Sequence, residues 1–366
     1  MYPEIKYDEQ ILLDRINSTT PADLDRALNA EKASFGDFLS LLSPLAAGEL
    51  PRMRERARKF RLSHFGRVAR LYAPIYFSNF CVNNCVYCGF RHSNHFPRRR
   101  LSIEETLAEA AILKKWGLDN VLIIAGEDKQ TCSMDYLVPL IRELKKEFSY
   151  VSIELAPMTE EFEAGAHGVS LYQETYDRPL YAELHPSGPK RDYDNRIHAP
   201  ALAARAGFYN VGVGALLGLH NWRSEAVSVA GHALSIKKHY WRTRNQFSFP
   251  RITPMEGGYQ IPHPVTQDEL EQMMLAFRIY FPESDIFIST RERHAFRMSL
   301  IQTCATHISA GSKVAPGAYV ESEKTGDKDL GQFTVMDDHS VENVVRSLRA
   351  INMEPVFKDW DPILGV

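Results

Sequence analysis

Eight short apolar runs, each followed by an amphipathic segment, constrain the fold of this chain more than any other feature. They recur between residues 70 and 310, and such runs are typical of buried parallel strands separated by helices. Eight strand–helix steps in roughly 240 residues favour an α/β fold of the TIM-like (βα)8 barrel type. A doubly wound open sheet is the alternative, because strand counting does not exclude it. The predicted strands are LYAPIYF, NVLIIAG, YVSIELAP, GVSLYQ, YNVGVGALLGL, NQFSFPRI, DIFIST and ATHISA.

The segments on either side of the predicted barrel have a different pattern. Residues 1–69 are polar with helical spacing of apolar positions and predict an N-terminal helical extension before a barrel over residues 70–310. Residues 311–366 predict a C-terminal cap that packs on the barrel. Arginines 52, 54, 56 and 58 spread around one helix of the extension. They indicate a solvated helix or a docking face for an acidic partner.

Composition excludes several function classes. The chain has 44% hydrophobic and 24% charged residues, a net charge of −3 and a sequence pI near 6.5. Nothing in this balance indicates nucleic-acid or membrane binding. The N-terminal residues lack the charged-then-apolar pattern of a signal peptide, and no apolar stretch reaches the ~18 residues of a membrane span. We therefore expect a cytoplasmic enzyme.

A cysteine-rich loop follows the first predicted strand. Cys81, Cys85 and Cys88 lie within the sequence SNFCVNNCVYCGF, separated by three and then two residues. Thiolates so close in sequence can converge on one inorganic centre, and a [4Fe–4S] cluster normally takes four of them. Three thiolates therefore predict a cluster with one iron left open to another ligand.

Zinc is the main alternative occupant of this loop. Structural zinc sites have four protein ligands, and His92 or His95 could in principle complete a set with the three cysteines. Cys132 and Cys304 lie far away in sequence, and each is most simply a buried free thiol.

The motif CVNNCVYC resembles the CxxxCxxC signature of radical S-adenosylmethionine (SAM) enzymes, with Tyr87 at the usual aromatic position. The resemblance implies a barrel fold, a [4Fe–4S] cluster and SAM, whose methionine part would chelate the open iron. An electron from the cluster would then break the sulfonium and release a 5′-deoxyadenosyl radical.

The same resemblance assigns cofactor-binding residues beyond the cysteines. Gly126 and Glu127 of AGE, at the end of the second predicted strand, match a glycine–glutamate motif that meets the methionine amino group. Gly214 and Ala215, in the stretch YNVGVGALLGL, match a segment that lies along adenine and ribose. By itself a glycine-rich strand end most often indicates close packing.

Further motifs extend the resemblance to nearly the whole chain. YQETY, GALLGLHNWR, SFPRITP, STRE and the closing KDWD are similar, in order, to the tyrosine lyases (2-iminoacetate synthases) of thiamine thiazole biosynthesis. The implied reaction cleaves the Cα–Cβ bond of L-tyrosine into 2-iminoacetate (dehydroglycine) and p-cresol. SAM would become methionine and 5′-deoxyadenosine. Implied partners are thiazole synthase and a reductant such as flavodoxin or ferredoxin.

The substrate carboxylate needs a fixed partner, and arginine is the best bidentate donor. Arg291 is our first candidate, with Ser289 and Thr290 beside it, and Arg251 is the second, with a structural ion pair as its alternative role. Within YQETY, Tyr172 is assigned to the cofactor, and Glu174 to the SAM ribose or the polar network around tyrosine. Candidates for the phenol side are His198, His220 and Tyr176.

Other functions remain open on the sequence. A related hydrogenase maturase makes carbon monoxide and cyanide from tyrosine, but it has an added C-terminal domain with three more cysteines, and this chain has none after Cys304. Tryptophan lyases and the tyrosine-using subunit of deazaflavin synthesis are further alternatives. A zinc-bearing scaffold is the non-enzymatic one. It does not explain why AGE, YQETY, SFPR and STRE all fall at predicted carboxyl strand ends, the catalytic face of a barrel.

Overall fold

Eight parallel strands close into a barrel in the computed structural model, which describes residues 8–155, 159–255, 258–325 and 331–358. The strands follow one another around the barrel, and pairing of β1 with β2 joins the two ends of the row. The predicted (βα)8 barrel is confirmed, and the open-sheet alternative is wrong. The strands are β1 (Val68–Ser78), β2 (Asn120–Ala125), β3 (Tyr150–Glu154), β4 (Gly168–Ser170), β5 (Asn210–Gly214), β6 (Arg244–Ser248), β7 (Asp285–Ile288) and β8 (His307–Ser309).

A ninth strand, β9 (Glu354–Val356), has no counterpart in the sequence prediction. It pairs in parallel with the start of β1, where Arg70 is opposite both Val356 of β9 and His307 of β8. One edge of β1 pairs with β8. The opposite edge pairs with β9 near the start of the strand and with β2 further along. A three-residue strand at the chain end carries no periodic signal, which is why the sequence does not indicate it.

Helices separate the strands as predicted. Side-chain caps fix several of their starts: Ser102 and Thr266 each form a capping box, with Glu105 and Glu269. No helix in the described ranges is both long and apolar enough to cross a membrane. The helices are α1 (Glu9–Asn17), α2 (Pro21–Asn29), α3 (Phe35–Leu41), α4 (Pro44–Ala47), α5 (Leu50–Phe65), α6 (Ile103–Lys115), α7 (Met134–Glu147), α8 (Thr159–Glu163), α9 (Arg178–Leu184), α10 (Tyr193–Ala206), α11 (Trp222–His239), α12 (Gln267–Tyr280), α13 (His294–Thr303), α14 (Ala318–Thr325) and α15 (Val341–Ala350), with a 3₁₀ turn at Pro189–Arg191.

The N-terminal helices share one hydrophobic core with the barrel. Phe38 of α3 packs edge-on against Phe277 of α12 and stacks on Tyr280, with ring centroids 5.2 and 4.9 Å apart. This contact buries aromatic surface between the extension and the outer helix layer.

The arginines of α5 bind mostly within the chain. Arg54 forms a two-pronged ion pair with Glu271 of α12, at 2.6 and 2.8 Å. Arg52 contacts Asp25, and Arg56 donates to the backbone carbonyl of Ala30. Helix α5 is therefore not fully solvated, and three of its four arginines are bound within the chain instead of being available to an acidic partner.

Candidate active site

The three cysteines line one cavity of about 1070 Å³, the cysteine cavity, at the carboxyl end of the first strands. Their loop is held by backbone hydrogen bonds to distant segments: Val82 N–H donates to the Glu127 carbonyl (2.9 Å) and Val86 N–H to that of Leu184 (3.1 Å). Burial raises the pKa of the Cys85 thiol to about 12. A bound metal has to supply the charge that keeps such a thiol ionised.

The spacing of the sulfur atoms separates a cluster from zinc. Around one tetrahedral zinc with Zn–S bonds of ≈ 2.3 Å, sulfurs stand roughly 3.8 Å apart. In the described part of the chain, the sets of three ligand atoms within 4.8 Å of one another do not include these cysteines. His92 and His95 are exposed and do not line the cavity. Three thiols that line one cavity and are spaced too widely for one ion fit a cluster in which each binds a different iron.

Gly126 lets the end of β2 lie against the cysteine loop. A Cβ added there would stand 2.3 Å from the Phe80 carbonyl oxygen and 2.8 Å from Cys81 Cβ, so only glycine fits. The next residue, Glu127, accepts a hydrogen bond from the Asn83 amide at 2.7 Å. That contact aims a carboxylate into the cavity beside the cysteines, where it can accept from an ammonium group.

Tyr87, between two of the cysteines, is fixed by a buried histidine. Its hydroxyl lies 2.6 Å from His185 Nε2, and His185 Nδ1 lies 2.7 Å from the Tyr181 carbonyl. Since a carbonyl only accepts, Nδ1 carries the proton and Nε2 accepts from the tyrosine. Burial lowers the pKa of His185 to about 3 and keeps the ring neutral.

Glu174 forms a buried ion pair with Lys190 at 2.6 Å. Its backbone has a φ of 72°, a conformation that costs energy for a residue with a side chain. Burial opposes ionisation, yet Lys190 and then Arg196 hold the pKa of Glu174 below its ordinary value. The strained turn places this carboxylate on the wall shared with a second cavity.

That second cavity, the inner cavity, has a volume of about 950 Å³ and lies inside the barrel mouth. Tyr172, Ser289, Thr290 and Arg291 line it, all near carboxyl strand ends. Arg291 donates to the Thr253 hydroxyl at 3.3 Å, and its guanidinium lies 3.4 Å from the centre of the Phe333 ring. It forms no salt bridge with any carboxylate among the described residues. A half-buried cation without a carboxylate partner can bind an anionic substrate group.

Six residues line both cavities, which makes them neighbouring compartments of one site. They are Tyr87, Cys88, Ile124, Glu154, Glu174 and Gln332. Burial, followed by the nearby Glu174, raises the pKa of Glu154 to about 7. Its position at the end of β3 puts a second carboxyl group between the cysteines and Arg291.

Three predicted site residues lie outside both cavities. Arg251 binds the two Glu292 oxygens and the Val265 carbonyl, the ion-pair role given as its alternative. A Cβ on Gly214 would lie 2.1 Å from the Ser248 carbonyl oxygen, which is close packing between β5 and β6. Ala215 is fully buried and forms a bridge with Glu174.

The phenol-side candidates also lie elsewhere. His198 contacts the Asp194 carbonyl, His220 contacts Glu9, and the Tyr176 hydroxyl lies 2.9 Å from His232. None of the three lines either cavity. The KDWD motif lies outside the described residues except for its first, Lys358. Cys304 is buried as predicted, whereas Cys132 lines the cysteine cavity.

Five polar residues of the site were missed in the sequence. Glu154 ends an apolar run in the same way as Glu127 follows one, and that signal could have identified it. Lys190 and Arg196 lie in or after a long loop, and nothing local distinguishes them. The others are His185, from the same loop, and Gln332, from the cap.

Comparison with known proteins agrees with this geometry. The radical SAM superfamily profile matches residues 75–227, and the profile of the biotin and thiamin synthesis associated domain matches residues 248–354. The chain is a radical SAM enzyme, a class that uses a [4Fe–4S] cluster and SAM. It is 38% identical to 2-iminoacetate synthase of Escherichia coli (strain K12), over 96% of this chain and 94% of that protein. The chain belongs to the 2-iminoacetate synthase family.

More distant relatives share the architecture. 3-Methylornithine synthase of Methanosarcina barkeri (strain Fusaro) is 27% identical over 93% of this chain and 96% of that protein. A crystal structure of a maturase of the [FeFe]-hydrogenase superposes with a TM-score of 0.91 at 30% identity. That match covers 98% of this chain and 81% of the maturase.

Proposed function

We propose that this enzyme cleaves the Cα–Cβ bond of L-tyrosine, giving 2-iminoacetate and p-cresol while SAM becomes methionine and 5′-deoxyadenosine. Atoms balance, because the two fragments together have the composition of tyrosine. The reductant supplies two electrons in all, one to start the reaction and one, with a proton, to complete p-cresol. Membership in the 2-iminoacetate synthase family supports the reaction.

One observation carries the proposal. Arg291, a half-buried cation with no carboxylate partner among the described residues, lines a cavity that shares a wall with the three-cysteine cavity. An amino acid whose carboxylate binds Arg291 would be held within the barrel mouth, next to the cofactor compartment. Ser289 and Thr290 add hydroxyl groups at the same strand end. The two-pronged geometry of arginine would fix the orientation of the substrate.

The cofactor side is assigned residue by residue. Cys81, Cys85 and Cys88 would bind the cluster, which with SAM supplies a one-electron cleavage that starts radical chemistry. Glu127, oriented by Asn83, would accept from the methionine ammonium group. Tyr87, fixed by His185, would contact the adenine, and Glu174 and Tyr172 would contact the nucleoside. Gly214 and Ala215 would act only through backbone packing.

Aromatic and aliphatic side chains surround the polar groups of the inner cavity. Tyr72, Tyr76, Pro74 and Phe333 line it, and burial keeps both tyrosines protonated, raising the pKa of Tyr72 to about 12. Such a lining would keep water from a reactive radical pair.

The partners follow from the reaction. An electron-transfer protein of the flavodoxin or ferredoxin type would reduce the cluster. Thiazole synthase would receive 2-iminoacetate directly, because the imine hydrolyses in water. We place the enzyme in the cytoplasm, where thiols stay reduced, and the five cysteines are free in the structure.

The test is an anaerobic assay of the reconstituted enzyme with SAM, a reductant and L-tyrosine. We expect 5′-deoxyadenosine and p-cresol in equal amounts. Formation of 5′-deoxyadenosine without p-cresol would contradict tyrosine cleavage and leave the radical SAM class intact. L-Tryptophan in place of tyrosine, with its products followed in the same way, separates this enzyme from the other aromatic lyases.

A further inference from the structure

Residues 331–337, here called the mouth segment, cross the open end of the barrel. Backbone N–H groups of Gln332, Thr334 and Met336 donate to the carbonyls of Val314 (3.1 Å), Pro254 (2.9 Å) and Thr290 (2.8 Å). At its end, Asp337 forms a fully buried ion pair with Arg297 of α13. The segment is therefore attached to the loops that follow β6, β7 and β8.

The mouth segment touches the cysteine loop at Gly89. A Cβ added there would lie 2.6 Å from the Gln332 carbonyl oxygen and 3.4 Å from that of Gly331. No side chain fits between the two backbones. This close approach fixes where the Gln332 side chain begins, directly over the last cysteine.

The Gln332 amide bridges a tyrosine and a cysteine sulfur. Its Oε1 accepts from the Tyr76 hydroxyl at 3.0 Å, and its Nε2 lies 3.6 Å from Cys88 Sγ. With Oε1 on the Tyr76 hydroxyl, the NH2 group of the amide faces the sulfur. A cluster-bound cysteine is a thiolate, which accepts such a hydrogen bond.

We propose that Gln332 donates a hydrogen bond to the Cys88 thiolate of the cluster, raising the reduction potential, and that Tyr76 orients the amide. A donor at a cluster sulfur stabilises the reduced state more, because that state carries the additional negative charge. The mouth segment thereby places a hydrogen-bond donor from the C-terminal part of the chain at the cluster. Gln332 is a positioning and tuning residue, 244 positions away from the cysteine it contacts.

The proposal rests on the cluster and not on tyrosine as substrate. A potential measured without any amino acid therefore tests it independently of the proposed reaction. If p-cresol is never formed but the potential shifts as described, only the proposed function fails.

The experiment is an anaerobic redox titration of the reconstituted enzyme, followed by electron paramagnetic resonance. The variants are Q332M, which keeps the length of the side chain without a donor, and Q332E, which replaces the donor with a carboxylate. We expect full iron content and a lower potential in both. Loss of one charge-assisted hydrogen bond changes the reduction equilibrium by about tenfold, or ~59 mV for one electron.

Two further variants keep the outcome decisive. Y76F leaves Gln332 in place without its orienting donor, so it should lower the potential by a smaller amount than Q332M. If Q332M fails to load iron, the potential of Y76F tests the proposal instead. Q302M removes a glutamine that binds the Ile351 carbonyl, away from the cysteines, and should leave the potential unchanged. Potentials equal to the wild type in Q332E and Y76F would overturn the proposal.

Discussion

The two cavities differ in how the chain assembles them. The three cluster thiols of the cysteine cavity come from eight consecutive residues, on the loop that follows β1. The inner cavity takes its polar groups from at least five strands of the barrel or the segments that follow them, and from the mouth segment near the C-terminus. A local motif specifies the cofactor chemistry, whereas closure of the whole barrel is needed to create the substrate compartment. Substitutions should therefore affect the two cavities separately.

The largest effect is expected at the local motif. C85A should abolish all 5′-deoxyadenosine formation, because two thiolates cannot hold a cluster that already has an open iron. C132A is the matched control. It removes a thiol that lines the same cavity but is outside the CxxxCxxC set, and whose Sγ contacts the Gly126 carbonyl at 3.6 Å. Iron analysis and absorbance after reconstitution measure the outcome. Equal iron loss in both variants would mean that the cavity, and not the CxxxCxxC set, determines binding.

At the inner cavity, R291M should lower kcat/KM for tyrosine by roughly 10²–10³-fold, since a bound carboxylate would be buried without its cation. R291K keeps the charge but loses the two-pronged geometry, so a smaller loss of about 30-fold is expected. SAM cleavage in the absence of tyrosine should be preserved in both. Steady-state assays with each product counted separately make the measurement.

Arg251 supplies the comparison for that result. The double variant R251M/E292Q removes both members of an ion pair near the same strand ends but outside the cavity. We expect lower thermal stability and at most a few-fold change in kcat/KM. A loss as large as that of R291M would show that the ion pair, and not contact with the substrate, controls activity at this end of the barrel.

The same contrast explains what the sequence could predict. The eight strands and their helices follow from apolar runs and helical periodicity, and the cluster ligands from spacing within one loop. Lys190 and Gln332 could not be found that way, because each acquires its partner, Glu174 or Cys88, only when the barrel brings distant segments together. Arg251 and Arg291 both follow barrel strands in the sequence. The structure separates them, because Arg251 pairs with Glu292 outside both cavities whereas Arg291 lines the inner cavity.

A third prediction concerns the ion pair on the shared wall. K190M should lower the free energy of unfolding by about 3–5 kcal/mol, because Glu174 would keep a buried charge with its closest partner removed. The double variant E174Q/K190M should be less destabilised than K190M alone. Anaerobic urea denaturation measures both. If E174Q/K190M is destabilised as much as K190M or more, Glu174 and Lys190 do not act as a pair. The strained turn at Glu174 then needs another support.

The smallest effect is expected beneath the same turn, at Glu225 of α11. This carboxyl group accepts from the Thr175 hydroxyl (2.5 Å) and the Tyr176 N–H (3.0 Å), and burial raises its pKa from 4.5 to about 8. The folded state thus binds the proton more tightly than the unfolded state. Its contribution to stability is complete below pH 4.5 and is lost as the pH rises to about 8.

E225Q stays neutral, so its unfolding free energy relative to the wild type should rise with pH by up to ~1.4 kcal/mol per unit and level off above pH 8. E342Q, whose side chain is 81% exposed, is the control and should give a flat difference. Thermal unfolding from pH 6 to 9 makes the comparison. A flat difference for E225Q would mean that the carboxylate is charged throughout, and that the YQETY turn rests on an anion instead of a protonated acid. The turn would then lose the pH dependence that separates it from the cysteine loop, which backbone hydrogen bonds and the Asn83–Glu127 and Tyr87–His185 contacts hold in place.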